Sequence, residues 1–529
     1  MALTFLQKEA LNILHSLTKD SALAYLVGGW VRDTLLGKNS DDLDLVLLAK
    51  PLEAIALSRR FAHKATAKPV REALGNWQVD LFVMHEETGT CRVIFKDRQG
   101  ESFYLDIMAM DGENLHDDAY RRDFTVNALI APLDTLAGNN FELTTNLILD
   151  QVGGLNDLAA QTIRPISEQN LIADPLRILR GIRQRASLSQ LSPTKREWTF
   201  ADGTVEMFTR HVPKIDNVAA ERIKVELDKT LLAGHTGHNL YLLDQIGMLT
   251  HLIPELAEGK DCSQMPAHYY DVFDHSLATV DRLEWLLRPD QYRGEGLAVL
   301  SQVPRPETLI TQWSDITNRL FADNRERELT LLWGALLHDI GKPLTKTIDQ
   351  EGQIHFYNHN KVGAKMAKNI MERLKSGNQQ TNQVITMVQN HLRIGQLGEF
   401  FDPVSREGLS KRAIYRFFRD TEPVQVEMLP LALADHAAVV GNTIATARQI
   451  RSWVRHLALT DSFARNLLGT EEERIVGKTR LVDGKQLMQE FNLPPSPQIG
   501  YLLREIEEAQ AIGQISTTQE ALALAKTLL

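Results

Sequence analysis

Apolar and polar positions follow two different rhythms along the chain. Up to about residue 145, short apolar runs are cut by Gly and charged turns, which predicts strands. The run AYLV, residues 24–27, is a short strand ending in Gly28-Gly29. Trp30 to Leu36 then reads as a helix closed by Gly37. Leu43 to Leu48 is a second strand, and residues 77–84, 91–95 and 103–109 are three more. After about residue 170 the pattern turns helical. Ile223, Leu227 and Leu231 recur every four residues, marking one buried helical face. Residues 287–307 hold Pro and Gly with little periodicity and read as an exposed insertion. A boundary before a short helical tail falls near Gly469–Glu473.

Composition narrows the class. A chain of 529 residues exceeds one compact core and predicts several domains. With 43 % hydrophobic and 24 % charged residues, disordered and collagen-like classes are out. No apolar run approaches the length of a membrane span. The N-terminal stretch has Lys8 and Glu9 inside its apolar pattern and reads as an amphipathic helix without a signal-peptide cleavage site. The two cysteines, Cys91 and Cys262, support neither a disulfide framework nor a cysteine metal site, so a cytoplasmic location is expected. The net charge of −10 removes a global basic field, and a phosphate partner must meet a local cluster.

The densest chemistry lies in LVGGWVRDTLLGKNSDDLDLVLL. Asp42 and Asp44 are two apart on a strand, so both carboxylates project from one face. Such a repelling pair is best stabilised by a divalent cation, and Mg²⁺ holding triphosphate oxygens is the usual arrangement for nucleotidyl transfer. Gly28-Gly29 lets backbone approach a phosphate, and Arg32 follows on the next turn. Asp106 lies in an apolar strand and is a candidate third catalytic carboxylate.

GGWVRDTLLG followed by DDLDLV resembles the head of class II CCA-adding enzymes and bacterial poly(A) polymerases, in the polymerase-β nucleotidyltransferase superfamily. RRDFTVNAL (121–129), GGLNDL with Ile163-Arg164, ADPLRILR (173–180) and AERI (220–223) resemble further blocks of that family, in the family's order. The resemblance implies an α/β head with a polymerase-β-like mixed sheet, then an all-α neck, an HD domain and a helical tail. The expected divisions are 1–145, 146–235, 236–468 and 469–529.

Asp174, Arg177, Arg180 and Arg183 are spaced by three and would cover one broad helical face. In the family, matching residues act as a protein template: an Asp accepts from the base's amino group and an Arg donates to ring acceptors, the logic used on base edges elsewhere. The carry-over makes Asp174 and Arg177 base readers. Gly29, Arg32, Arg122, Arg180 and Arg183 would support nucleotide binding, with Asp42, Asp44 and Asp106 catalytic. The family's Glu before that Asp is Ala173 here, so an orienting hydrogen bond is lost.

LLWGALLHDIGKP carries His338-Asp339, the mark of the HD phosphohydrolase family. The resemblance supplies a ligand set of His275, His338, Asp339 and Asp435, suited to a divalent transition metal as well as Mg²⁺. His359 and His391 could complete a second metal, although lone histidines are more commonly structural.

The expected function is therefore template-independent addition to the tRNA 3′ end. The partners implied are tRNA and CTP, with ATP as a further option, and no membrane. Between the strand segment Asp106–Met110 and Arg121 only about ten residues remain, with no Arg among them. The family's flexible loop, which re-shapes the pocket from CTP to ATP, looks deleted. That favours a CC-adding enzyme, with a separate enzyme supplying the terminal A, over a full CCA-adding one. A poly(A) polymerase is disfavoured because the C-terminal segment is not basic. An HD phosphohydrolase with a degenerate head is disfavoured by the intact Asp42/Asp44 pair.

Overall fold

The computed structural model describes all residues except 1–2, 20–22, 39, 41, 68–76, 97–101, 191–195, 266–267, 293–299, 323–324, 440–445 and 478. It divides into two compact units, Met1–Val218 and Ala219–Leu529. Residues 146–218 therefore belong with the sheet-bearing unit, and 219–235 with the second.

The first unit is built on a seven-stranded sheet. Its strands are β1 (Ala24–Val27), β2 (Asp42–Leu47), β3 (Gln78–His85), β4 (Thr90–Lys96), β5 (Ser102–Ala109), β6 (Leu129–Pro132) and β7 (Leu149–Asp150). The spatial order is β3-β4-β5-β2-β1-β6-β7. β2 and β5 run parallel, and the remaining neighbours are antiparallel. The sheet is mixed, as the sequence implied.

The alternation in β2 fixes what faces what. Leu43, Leu45 and Leu47 are fully buried, each worth roughly 1.5–3 kcal/mol. The helix Pro51–Thr66 packs on the sheet through Leu57 and Phe61, and is itself contacted by the helix Phe5–Thr18. Asp42, Asp44 and Val46 point the other way, where Val46 joins Tyr25, Val27, Ala128 and Ile130 in a second cluster. A one-residue slip would drive both carboxylates into the apolar layer, so packing locks the register.

Beyond the sheet the first unit is mostly helical, with one exception. Thr162–Ile163 pairs in parallel with Thr199–Phe200, so the expected all-α neck carries a small sheet. The expected helical face from Asp174 to Arg183 is also interrupted. One helix ends at Ala173 and the next begins at Leu176. Asp174 sits between them at φ −137° and ψ 88°, because Pro175 disfavours helical backbone in the residue before it.

The second unit is helical apart from a hairpin, Lys346–Ile348 with Ile354–Phe356. Its central helices are Val272–Leu287, Glu326–Leu337, His359–Arg373, Asn378–Asn390 and Met428–Ala438. The insertion expected to be exposed is only partly so, since Tyr292 and Leu300 are buried; its residues 293–299 lie outside the described set. The helix Ala447–Leu468 stops at Gly469. After it, three helices, the first and last capped by Asp483 and Thr517, close around Leu487, Leu502, Ile506, Ala521 and Ala525. No helix among the described residues is long and apolar enough to cross a membrane.

Candidate functional site

Three adjacent strands bring charges into one row. In the β2/β5 register Asp44 lies beside Asp106, and in the β4/β5 register Asp106 lies beside Arg92. Arg92 grips Asp106 with both arms of its fork, at 2.8 and 2.7 Å. Asp106 is thus matched by an arginine that sequence reading did not single out. Asp44 is half-buried and has Asp106 and Asp42 near it. Burial first, and then Asp106, push its carboxyl up to about 6, against the pull of Arg122. A carboxylate held so unfavourably, with Asp42 on the same face, fits an oxygen-liganded divalent cation such as Mg²⁺.

Gly28 closes the floor. Its φ is +72°, and a Cβ there would stand 3.0 Å from Asp44 Oδ2. Both the backbone angle and the space therefore exclude larger residues. On the next helix Arg32 donates to Asp33 at 2.8 Å and to Asn127 Oδ1 at 2.5 Å. Its guanidinium is thereby aimed rather than free to swing.

A cleft of about 700 Å³ gathers the predicted residues: Gly29, Arg32, Asp42, Asp44, Arg122, Asp174, Arg177, Arg180 and Arg183 all line it. Asp106 is not among its lining residues. The arginines have different tasks. Arg177 donates to the carbonyls of Arg122 at 2.9 Å and Arg121 at 2.7 Å, using two of its five N–H groups. Arg122 is forked onto Asp118 at 3.0 and 2.8 Å. Arg180 binds Asp123 Oδ2 at 3.0 and 2.7 Å.

Asp123 is the hub that sequence reading passed over. It is buried, and accepts from the Phe124 amide at 2.8 Å and from Asn127 at 2.8 Å besides Arg180. Burial alone would raise its pKa, but Arg180 and these hydrogen bonds outweigh burial and hold it below the usual carboxylate range. Asn127 in turn donates to Gln184 Oε1 at 2.9 Å. This network clamps the 121–129 block onto the helix Leu176–Gln190. Asp157 does the same for the following block, accepting from Thr125 at 2.7 Å and from Arg164 at 3.0 Å. Much of the motif signal is scaffold that aims Arg32 and Arg177.

The second unit holds a different cluster. His275 Nε2 lies 3.0 Å from Asp435 Oδ1, and His338 Nε2 lies 3.1 Å from Asp339 Oδ2. The four residues expected as metal ligands are thus together, three of them fully buried and Asp435 partly so. His338 and Asp339 lie just past the end of the helix Glu326–Leu337 rather than inside it. Gly341 permits the turn to press on the helix His359–Arg373, where a Cβ would meet the His359 carbonyl at 2.3 Å. His359 and His391 join the cluster, each with Nε2 3.4 Å from Asp339 Oδ1. Burial keeps His275 and His359 below the usual imidazole range, favouring the neutral ligand form. Beside the cluster lies a cavity of about 380 Å³ lined by Lys342, His355 and Tyr357 among others.

Four family descriptions match along the chain. Residues 24–164 match the poly A polymerase head domain, and 199–260 match the probable RNA- and SrmB-binding site of polymerase A. Residues 272–437 match the HD domain, and 441–525 match a putative tRNA nucleotidyltransferase domain 2. An A-adding tRNA nucleotidyltransferase of Deinococcus radiodurans is 28 % identical, covering 94 % of this chain and 94 % of that protein. A CC-adding tRNA nucleotidyltransferase of Thermus thermophilus is also 28 % identical, over 94 % of this chain and 92 % of that one. A solved CCA-adding enzyme with CTP shares the fold at a TM-score of 0.56 and 17 % identity, over 98 % of this chain and 94 % of that one.

Proposed function

The chain belongs to the class II tRNA nucleotidyltransferase and poly(A) polymerase family, and on that premise we propose that it builds the CCA end of tRNA by adding the two cytidines from CTP. The reaction is attack of the RNA's terminal ribose hydroxyl on the α-phosphate of the triphosphate, with pyrophosphate leaving. The observation that carries this reading is the shared cleft: Asp42 and Asp44 stand on one wall and Asp174 and Arg177 on another. Asp42 and Asp44 would hold Mg²⁺, which when bound would neutralise triphosphate charge and lower the pKa of the attacking hydroxyl. Asp106, held by Arg92, sets the field at Asp44. Gly29, Arg32, Arg122, Arg180 and Arg183 surround the nucleotide. Asp174 accepts from the cytosine amino group, and the unused N–H groups of Arg177 donate to the ring acceptors.

The choice of cytidine rests on the connection after β5. It runs from Met110 to Asn114 and into the helix Leu115–Arg121. It is braced at both ends: Asn114 caps the helix by accepting from the Asp117 amide at 3.0 Å, and Arg121 pairs with Asp111. Arg177 hangs from the carbonyls at the end of that same helix. A brace that is short and tied to the base reader supports a pocket of one size. A separate enzyme would then add the terminal adenosine. Adenosine addition is the alternative, since the A-adding and the CC-adding relatives are each 28 % identical. Incubation of tRNA lacking CCA with Mg²⁺, CTP and ATP decides. The expected product ends in two cytidines. Efficient addition of adenosine to tRNA ending in CC would replace this specificity with an A- or CCA-adding one.

A further inference from the structure

We infer that an arginine-lined cavity among the C-terminal helices of the second unit binds a small phosphate ester of nucleotide size. The cavity holds about 480 Å³, inside the usual range of small-molecule sites. It shares no lining residue with the cavity beside the HD cluster. Four arginines reach it from different elements. Arg319 comes from the helix Trp313–Phe321 and Arg419 from the helix Lys411–Asp420. Arg474 and Arg480 come from the segment after the helix Ala447–Leu468. Two acids, Glu422 and Glu507, line the cavity with them. In a chain of net charge −10 this is a local excess of positive charge.

The four guanidinium groups are not equally committed. Arg480 Nε pairs with Glu507 Oε1 at 2.5 Å. Arg419 lies 2.9 Å from its chain neighbour Asp420 and 3.8 Å from Glu508. Glu508 does not need it, being forked by Arg416 at 2.8 Å on both oxygens and paired with Arg412 at 2.9 Å. Among the described residues, the guanidinium groups of Arg319 and Arg474 have no hydrogen-bond or ion-pair partner. Two unanswered like charges facing one concave space repel, and an anion between them removes the repulsion. Phosphate is the anion whose oxygens best match a planar guanidinium fork.

The wall that carries Arg474 is built rather than loose. Ile475 is buried, and its amide donates to the Asn466 carbonyl at 2.9 Å. Gln510 Nε2 donates to the Thr479 carbonyl at 2.7 Å, fixing the far end of the segment to the helix Pro497–Ala511. Gln425 is oriented in the same way, donating from Nε2 to the Phe418 carbonyl at 2.7 Å. Leu467, Val476 and Ala511 add an apolar wall. Converging guanidinium groups, an oriented amide and an apolar wall fit a phosphate that carries a compact organic group such as a nucleoside. An RNA strand is instead tracked by cations spread along an open groove. Here the cations converge from separate elements on one cavity, which favours a small molecule.

The test is calorimetric titration of the full chain with ATP in EDTA, comparing the parent with a variant carrying Arg319→Gln and Arg474→Gln. The parent should bind one equivalent of ATP more than the variant, with the binding they share unchanged. Both substitutions remove charges that have no partner, so the melting profile should also be unchanged. Adenosine, which lacks the phosphate, should leave the extra site empty. Equal ATP stoichiometry in parent and variant, or filling of the extra site by adenosine, would overturn the inference. A second arm titrates both proteins with tRNA lacking CCA. If the variant kept its full ATP stoichiometry and lost tRNA affinity by about tenfold or more, the two arginines would be RNA contacts and the inference would fall. The readout does not depend on cytidine addition, so its failure and that of the proposed tRNA activity are told apart.

Discussion

The cleft of the head and the cluster of the HD unit both concentrate acids, but they settle the charge in opposite ways. In the head, the carboxylates are answered by arginines. Arg92 holds Asp106, Arg122 holds Asp118 and Arg180 holds Asp123. Asp44 is the acid left at a disadvantage, raised to about 6. In the HD cluster the acids are answered by imidazoles and one lysine, with Lys342 Nζ 2.6 Å from Asp339 Oδ2. Guanidinium groups are permanent charges with planar forks, suited to triphosphate and base edges. Imidazoles are soft donors suited to resident transition metals. The donors of the first site suit an oxygen-liganded cation, and those of the second a transition metal.

That comparison is broken most severely by removing either member of the head's acid pair. Asp42→Ala and Asp44→Ala should each lower nucleotide addition by about 10³-fold or more, since metal-centred charge stabilisation is worth several kcal/mol. His338→Ala with Asp339→Ala should change addition by less than about threefold, because the sites lie in separate units and effects of independent sites do not couple. Single-turnover assays on tRNA lacking CCA give both numbers. A parallel fall in the HD variant would mean that the units are coupled.

The template is the next most sensitive point. Asp174→Ala should erode discrimination of CTP against UTP by roughly 10–100-fold, as expected for one lost donor–acceptor contact of 1–3 kcal/mol. Competition between the two labelled triphosphates measures it. Loss of all addition with unchanged preference would make Asp174 structural.

The head was readable because its chemistry is contiguous. Asp42 and Asp44 fall on one strand face by parity alone, and apolar Leu43, Leu45 and Leu47 show which face. The break at Asp174 was also written in the chain, in the Asp174-Pro175 pair, but spacing by three outweighed it. Asp123 was not readable as a hub, because its partner Arg180 is 57 positions away and nothing local marks the pair. The same holds for Arg92, which meets Asp106 only through a strand register. In the HD unit each acid or histidine after His338-Asp339 stands alone, on or at the end of its own helix. His359 and His391 meet Asp339 only when the Gly341 turn and two helices bring them to one carboxylate.

The strain at Asp44 predicts an exchange of activity for stability. Its folded value, about 6, lies above the roughly 3.9 of an unfolded aspartate. Asp44 is therefore neutral in both states below about pH 3.9, and stability falls as pH rises from about 3.9 to 6, where the unfolded chain has ionised and the folded one has not. Asp44→Asn, which removes the charge, should stabilise the protein by about 1–3 kcal/mol at pH 8. The gain should shrink as pH falls from 6 towards 4. Chemical denaturation in EDTA across that range tests it, and added Mg²⁺ should narrow the difference by favouring the ionised parent. A pH-independent gain would assign the effect to packing instead.

The smallest expected effect tests the brace behind the cytidine pocket. Arg121 and Asp111 form an ion pair in which both side chains are more than half exposed, so Arg121→Ala should cost less than about 1 kcal/mol of stability. Arg177 is anchored on the carbonyl of residue 121, not its side chain, and that anchor survives the substitution. Addition of cytidine should therefore change by less than about threefold, with the product still ending in two cytidines. The Asp118–Arg122 pair, which is buried on the acid side, and the Asn114 cap hold the connection in place without Arg121. If loss of this one surface contact instead opened the protein to ATP, the connection after β5 would be a movable lever. The head would then resemble the HD cluster less as a fixed site and more as a switch, and cytidine specificity would have to be assigned to motion rather than to a pocket of one size.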